Sequence, residues 1–215
     1  GPGVTNILTP MAQARADSIP LLVISTVNSS NREMSGLLHE LPNQEMLVKQ
    51  VALASFTVED PEETNSIFQR AFSILISGRP GPVHVQIPVK ILKKPVKSFN
   101  PIIVPPKLPK KIPSKKIKLL ISKINQSKKP LILIGGGARS AKLSLVKLIE
   151  KLECPLISTI NARDIIGLHR LHIPASPTLA PVREVITNSD LVIAVGTEIG
   201  QTDYDMFEDG LFPQL

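Results

Sequence analysis

Three consecutive glycines, Gly135, Gly136 and Gly137, are the first residues whose pattern could do chemistry. They follow an apolar run at residues 131–134 and precede a helical pattern at residues 145–152. Such a turn can leave backbone N–H groups pointing outward, where the helix dipole favours an anion such as a pyrophosphate. The dinucleotide pattern requires a glycine where this chain has Ser140, and no acidic residue stands at the end of the next strand. We therefore favour a tight turn that only packs the helix on the sheet, with a nucleotide site as the alternative.

His39 and Glu40, near the end of a polar stretch at residues 28–42, are the second candidate. An imidazole titrates near neutral pH and can donate or accept a proton. The alternative for His39 is a solvated loop histidine. His84 is different, because it lies within an apolar strand pattern, and we predict that it is a hydrogen-bonded core residue.

The elements that would position these residues alternate between strands and helices. Apolar runs predict buried strands at residues 21–25, within 51–58, and at 82–87, 131–134, 156–159 and 191–195. Helical patterns fall between them, including one that begins at Asp60 with a predicted capping box and buries Ile67, Phe68, Ala71, Phe72 and Leu75. This alternation predicts an α/β fold with two three-layer domains around mostly parallel sheets.

A segment rich in proline and lysine separates the two predicted domains. Seven prolines from Pro88 to Pro113 argue against any regular helix or strand there. Thirteen of the 25 basic residues are lysines between Lys90 and Lys129, and the rest of the chain has more acidic than basic residues. We therefore predict domains at residues 1–88 and 114–215, a solvated linker at 89–113, and no nucleic-acid partner.

Composition restricts the remaining function classes. No apolar run of the 215 residues approaches the ~20 residues of a membrane span, so no membrane is predicted. There is no signal-peptide pattern, which predicts a cytoplasmic protein. The single cysteine, Cys154, is predicted to be a small core residue, and His169 and His172 are too far from other ligand residues to predict a metal site.

Three motifs resemble the thiamine-diphosphate-dependent enzymes of the acetolactate synthase group. They are GPGVTN at residues 1–6, ADSIP at residues 16–20 and SGRPGPV at residues 77–83. The sequence Leu38-His39-Glu40 is similar to the Phe-Gln-Glu of that family, and with ADSIP it most resembles the branch that decarboxylates 5-guanidino-2-oxopentanoate. The resemblance implies a piece of a longer protein: the C-terminal part of the pyrimidine-binding domain, a linker and most of the central domain.

This resemblance implies a cofactor site. Pro2 and Asn6 would line the pyrimidine end of thiamine diphosphate, and His39 would lie near its thiazolium and act in catalysis. The glutamate that activates the aminopyrimidine is expected before Gly1, and the domain that binds Mg²⁺ and the diphosphate after Leu215. The 215-residue chain alone is therefore expected to be inactive. The resemblance also implies a 2-oxo acid substrate and a homodimer or tetramer formed through the pyrimidine-binding domain.

Flavin is the remaining question that the resemblance raises. In acetolactate synthases the glycine turn of the central domain contacts the phosphates of FAD, and a later arginine-bearing loop follows. This chain has Glu198 in place of that loop, leaving Arg139, Arg163 and Arg170 as the nearest cations. We predict that FAD does not bind. Acetolactate synthase, which would bind FAD, is the alternative enzyme, and a non-catalytic nucleotide-binding module is the alternative from another class.

Overall fold

A computed structural model of the chain describes residues 1–28, 36–97, 103–105, 111–200 and 203–204. The chain separates into two compact units, Gly1–Lys110 and Lys111–Leu215. Each unit contains a parallel sheet flanked by helices, which confirms the α/β prediction. The division falls inside the segment 89–113 that the sequence assigns to the linker.

The first unit contains a three-stranded parallel sheet in the order β1-β3-β2. Its elements are α1 (Pro2–Ala16), β1 (Leu21–Val27), α2 (Gln44–Lys49), β2 (Ala54–Thr57), α3 (Thr64–Leu75), β3 (Pro82–Pro88) and α4 (Val89–Leu92). The sequence predicts no helix after Pro88, but α4 forms there because Ile91 is buried in the core of this unit. This short helix occupies the first residues of the segment that the sequence assigns to the linker.

The two faces of this sheet pack against different helices. Val83 and Val85 pack with α3 in an apolar cluster, whereas Val23 packs with Val4 of α1 and Val48 of α2. Because side chains alternate along a strand, the even-numbered residues of β3 lie on the α1 and α2 side. Two of them, His84 and Gln86, are polar, and they form the base of the candidate site described below.

Three details of this unit differ from the sequence prediction. Helix α1 begins at Pro2 rather than near Thr5, because the fixed φ of proline suits a first helical position, and it continues through Pro10. The predicted capping box is replaced by a 3-10 turn in which Asp60 accepts from the Glu62 N–H. Phe72, predicted to be buried, is 45% exposed.

The second unit contains a four-stranded parallel sheet in the order β6-β5-β4-β7. Its elements are α5 (Ser114–Gln126), β4 (Pro130–Ile134), α6 (Lys142–Leu152), β5 (Leu156–Ser158), α7 (Arg163–Ile166), β6 (His172–Ile173), α8 (Ala180–Thr187) and β7 (Leu191–Val195). The apolar residues of β4 are fully buried on both faces, as the continuous apolar run predicts. Cys154 is also buried in this core, and burial raises the pKa of its thiol.

Helix α5 is amphipathic, as predicted, but little of its apolar side is covered. Ile117, Leu120 and Ile121 are each about half exposed, and Ile124 alone among its apolar residues packs against the core of the unit. None of the helices in the described parts of the chain has the length and apolar character needed to cross a bilayer.

Candidate functional site

A cleft of about 440 Å³ opens where β1 ends and α2 begins. Its walls are formed by Gly1, by residues 26–28 and 37–41, and by Gln44. Ligands of parallel α/β sheets bind beyond the carboxyl ends of the strands, which is where this cleft lies. His39, predicted from the sequence as a catalytic residue, is part of its lining.

The start of α1 and the His39 segment touch backbone to backbone. A Cβ placed on Gly1 would lie 2.1 Å from the His39 carbonyl oxygen, so no residue larger than glycine fits there. His39 has a left-handed backbone with φ of 61°, which turns the chain at this contact, and its side chain is exposed. Pro2 and Asn6 lie on the exposed side of the first turns of α1, beside this contact but outside the cleft lining.

Gln44, the first residue of α2, forms the buried floor of the cleft. Its side-chain oxygen accepts from the Gly1 nitrogen (3.1 Å). Its Nε2 donates to the Thr26 carbonyl (3.1 Å), to Ser25 Oγ (3.2 Å) and to Gln86 Oε1 (3.2 Å). This one side chain therefore joins α1, α2 and the ends of β1 and β3.

His84 lies deeper, beneath Gln44, and is fully buried. Its Nε2 lies 2.8 Å from Ser25 Oγ and its Nδ1 lies 2.7 Å from Ser55 Oγ, which confirms the prediction of a hydrogen-bonded core histidine. Burial lowers the pKa of His84 to about 4, although the charge of Glu45 acts in the opposite direction. The imidazole is therefore neutral at neutral pH and supports the cleft from below.

The cleft suits the pyrimidine end of thiamine diphosphate better than its diphosphate. An aminopyrimidine presents both donors and acceptors, and this cleft offers polar atoms of Thr26, Asn28 and Gln44 beside the apolar side chains of Leu37 and Leu41. Tight phosphate sites add arginine or lysine, and the described residues of the lining include neither. The lining residues therefore suit an uncharged polar ring better than a phosphate, whereas Pro2 and Asn6, which the resemblance assigns to the pyrimidine end, lie outside this lining.

In the glycine turn of the second unit, three backbone N–H groups are bonded within the protein. The Gly135 N–H donates to the Val195 carbonyl, the Gly137 N–H to the Gly196 carbonyl, and the Ala138 N–H to the Gly135 carbonyl. The turn leads into a 3-10 segment, and α6 begins only at Lys142. Neighbouring backbone carbonyls thus occupy three of the donors that a nucleotide site would use.

Close packing explains why these positions are glycines. A Cβ on Gly135 would lie 2.3 Å from the Gly196 oxygen and 2.6 Å from the Thr197 Cα. Gly196 has a φ of 62°, and a Cβ there would lie 2.3 Å from the Ala138 nitrogen. The ends of β4 and β7 thus approach each other as closely as bare backbone allows.

The arginines considered for a flavin phosphate differ in their surroundings. Arg139 makes a two-pronged ion pair with Asp164, in which NH1 lies 2.7 Å from Oδ2 and NH2 lies 3.1 Å from Oδ1. These hydrogen bonds raise the pKa of Arg139 and lower that of Asp164. Arg163, at the start of α7, is exposed. Arg139 would therefore have to leave Asp164 before it could bind a phosphate.

The remaining histidines have local partners. His172 Nδ1 lies 2.9 Å from the Gly167 carbonyl, which places a proton on Nδ1, and its Nε2 then accepts from Ser158 Oγ (3.1 Å). His169 Nδ1 accepts from the Leu171 N–H (3.2 Å). Within the described ranges, no group of histidine, cysteine or carboxylate residues has the arrangement of a metal site.

Sequence reasoning missed Gln44 and Gln86, which hold the site together. The available signal was the alternation Val83-His84-Val85-Gln86-Ile87 in a strand that otherwise reads as fully buried. In a strand buried on both faces, a polar residue at every second position costs free energy unless polar partners lie opposite. Those partners, Ser25 and Thr57, are contributed by the two neighbouring strands.

Two family matches cover most of the chain. Residues 1–52 match the N-terminal TPP binding domain of thiamine pyrophosphate enzymes, and residues 117–214 match the central domain of thiamine pyrophosphate enzymes. The cleft lies largely within the first match, and the glycine turn lies within the second.

Curated relatives and a solved structure agree with these matches. The chain is 36% identical to the protein named probable 2-ketoarginine decarboxylase AruI of Pseudomonas aeruginosa, over 95% of this chain and 37% of that protein. It is 31% identical to the acetolactate synthase large subunit of Corynebacterium glutamicum, over 92% of this chain and 33% of that protein. The chain thus spans about a third of the length of these relatives.

The fold is similar to that of a Mycobacterium smegmatis protein assigned to the thiamin diphosphate-dependent enzymes. The TM-score is 0.66 at 20% identity, and the similarity covers 95% of this chain and 40% of that chain. At this identity the likeness concerns the fold alone. The two family matches, which carry the assignment, identify this chain as a member of the thiamine-diphosphate-dependent enzymes.

Proposed function

We propose that this chain is part of a thiamine-diphosphate-dependent decarboxylase that acts on a 2-oxo acid, with 5-guanidino-2-oxopentanoate as the first substrate to test. The cofactor supplies the electron sink that allows CO₂ to leave. The similarity to a protein named as a 2-ketoarginine decarboxylase supports this substrate. The diphosphate and Mg²⁺ would be held by parts of the protein outside these residues.

The observation that carries the proposal is the placement of His39 in the cleft, against the start of α1. When CO₂ leaves a 2-oxo acid, the carbon that carried it must receive a proton before an aldehyde can be released. His39 and Glu40 are the titratable side chains among the described residues that line the cleft. An imidazole has the pKa range to give that proton at neutral pH and to recover it from water.

Asn6 and Pro2 would act by position rather than by proton transfer. They lie on the first turns of α1, whose backbone is held against His39, so a ring bound there would keep a fixed distance from the imidazole. The exposure of both side chains is compatible with a homodimer or tetramer in which this surface contributes to the subunit interface. We propose that this surface forms such an interface.

The test is a comparison of substrates with the full-length protein, thiamine diphosphate and Mg²⁺. We expect CO₂ release from 5-guanidino-2-oxopentanoate with a higher kcat/KM than from pyruvate, and an aldehyde as the product. Acetolactate synthase is the second candidate, because several large subunits of that enzyme are similar to this chain at about the same coverage. Formation of acetolactate from pyruvate as the main product would favour that candidate instead.

A further inference from the structure

A chain of hydrogen bonds runs beneath the cleft, from the first turn of α1 across the sheet to a carboxylate. It continues from Gln44 to Gln86, whose Nε2 donates to Thr57 Oγ1 (2.8 Å). Thr57 Oγ1 donates to Glu45 Oε2 (2.5 Å), and Lys49 Nζ lies 2.5 Å from the other oxygen of Glu45. Gln44 and Gln86 are both more than nine-tenths buried, so neither amide can exchange these partners for water.

The charge of Glu45 decides which group donates and which accepts in each hydrogen bond along this path. Burial raises the pKa of this carboxyl, but hydrogen bonds from Lys49 and Thr57 outweigh that effect and lower it overall, so Glu45 is ionised at neutral pH. An ionised carboxylate only accepts hydrogen bonds, and Thr57 must therefore donate to it. The Thr57 oxygen then accepts from the Gln86 amide, and the Gln86 oxygen accepts from Gln44.

The same donor and acceptor roles orient the side-chain oxygen of Gln44 toward Gly1. With its Nε2 directed to Gln86, Ser25 and the Thr26 carbonyl, Gln44 presents only Oε1 to the Gly1 nitrogen. That nitrogen is an amino group here and would also be a hydrogen-bond donor as a peptide N–H in a longer chain. A reversed amide would put a donor against that nitrogen and push the start of α1 away. Because Gly1 touches the His39 carbonyl with no spare room, such a displacement would also move the His39 segment.

We propose that Gln44 is a positioning residue of the cofactor site, and that Glu45, acting through Thr57 and Gln86, holds the Gln44 amide in the orientation that binds the start of α1. This inference rests on the proposed function only in taking the cleft as the site for thiamine diphosphate. Neither side chain needs to touch the reacting atoms. A small displacement of the bound cofactor is enough to slow the reaction, because a misplacement of about 1 Å can cost roughly 10²-fold in rate.

A side branch of the same network supplies a matched control. Ser25 Oγ accepts from Gln44 and is hydrogen-bonded to His84 Nε2 (2.8 Å), and His84 Nδ1 is hydrogen-bonded to Ser55 Oγ (2.7 Å). Ser55 is as deeply buried as Gln86 but has no part in the path from Glu45 to Gly1. Ser55→Ala therefore removes a buried hydrogen bond without disturbing the orientation of Gln44.

The experiment measures the Kd of thiamine diphosphate by calorimetry on the full-length protein, beside its thermal unfolding. We expect Glu45→Gln to weaken binding roughly 10-fold and Gln44→Met by up to about 10²-fold, the range expected when one partner of a buried hydrogen bond is lost. Ser55→Ala should lower the Tm but leave the Kd within about twofold, because the proposed path remains intact. In the Gln44→Met background, Glu45→Gln should have no further effect, since its influence passes through Gln44.

The outcomes separate this inference from the proposed function. If a folded Glu45→Gln variant binds thiamine diphosphate as tightly as the wild type does, this inference is overturned but the proposed function is not. That outcome does not depend on whether Gln44→Met folds. Additive effects in the double variant would also overturn it, because they would show that Glu45 acts by another route. A wild-type protein that does not bind thiamine diphosphate at all would overturn both proposals.

Discussion

The two parallel sheets end in opposite ways. In the first unit the carboxyl end of β1 opens into a cleft of about 440 Å³ above buried glutamine, serine and histidine side chains. In the second unit the carboxyl ends of β4 and β7 are closed by glycines that pack against each other's backbone. One end can receive a ligand, whereas the other uses its backbone donors within the protein.

This difference shows how to interpret two sequence patterns, the polar residues beneath the cleft and the glycines after β4. Burying a polar side chain is costly unless it is hydrogen-bonded, and among the described residues every buried side-chain nitrogen or oxygen has a partner. The polar layer of the first unit is therefore a fully paired structure beneath a site. At the end of the second sheet, close backbone packing accounts for Gly135 and Gly196.

The largest expected effect tests the closed end of the second sheet. Gly135→Ala places a Cβ 2.3 Å from the Gly196 oxygen, and we expect it to lower the free energy of unfolding by about 3 kcal/mol or more. Gly136→Ala is the matched control, because its nearest neighbour is the Asn161 Cβ at 3.3 Å, and we expect a loss below about 1 kcal/mol. Denaturant unfolding of the full-length variants measures both. Equal effects would contradict the packing explanation.

The next effect tests the open end of the first sheet. His39→Gln keeps a polar side chain in the cleft but removes the proton-transfer group, and we expect kcat/KM to fall about 10²-fold. The pH–rate profile should also lose the limb that reports the imidazole. Thermal unfolding serves as the control and should be nearly unchanged, because the His39 side chain is exposed. An unaltered pH–rate profile would return His39 to the role of a solvated loop residue.

A third prediction concerns the buried layer itself. The pKa of His84 is about 4 in the folded protein, below the ordinary value near 6.5, so the unfolded chain binds more protons between those values. Stability should therefore fall as the pH is lowered from about 6.5 to about 4, by roughly 2 to 3 kcal/mol from this residue.

His84→Gln provides the reference, because an amide can still bond to Ser25 and Ser55 but does not titrate. The difference in unfolding free energy between the two proteins should depend on pH below 6.5 and be constant above it. A difference that stays constant down to pH 4 would argue against a neutral buried imidazole.

The smallest expected effect is an absence of flavin. We expect the purified full-length protein to be colourless, because the Gly135 and Gly137 N–H groups are engaged and Arg139 is paired with Asp164. An absorbance spectrum after heat release measures any FAD. A yellow protein would show that the closed end can open, and acetolactate synthase would become the leading function.

Much of the fold could be predicted from the sequence because its signals are local. The apolar run of β4 and the helical spacing of α6 each lie within a dozen residues, and both elements form as predicted. The use of the Gly137 N–H could not be predicted, because its acceptor is Gly196, far along the chain. Phe72 was wrongly predicted to be buried, because helical spacing identifies the apolar face of α3 but not how much of that face the sheet covers.

The candidate site was predictable only in part. His39 was found through its sequence motif, and the structure brings it to Gly1. Gln44 was missed because its partners Gln86 and Ser25 come from strands that are distant in sequence. Polar residues in one strand signal that partners exist, but tertiary structure decides which residues they are.

The pairing of β2 with β3 has a consequence for the accuracy of folding. On the α3 side, Val83, Val85 and Ile87 would accept a partner strand shifted by two residues, because every contact there is apolar. On the other side, Ser55 pairs with His84 and Thr57 with Gln86. A two-residue shift in either direction would leave His84 or Gln86 beside a residue other than these hydroxyls. A shift that places Leu53 opposite His84 would bury the imidazole beside an apolar residue, at the cost of an unbonded polar group.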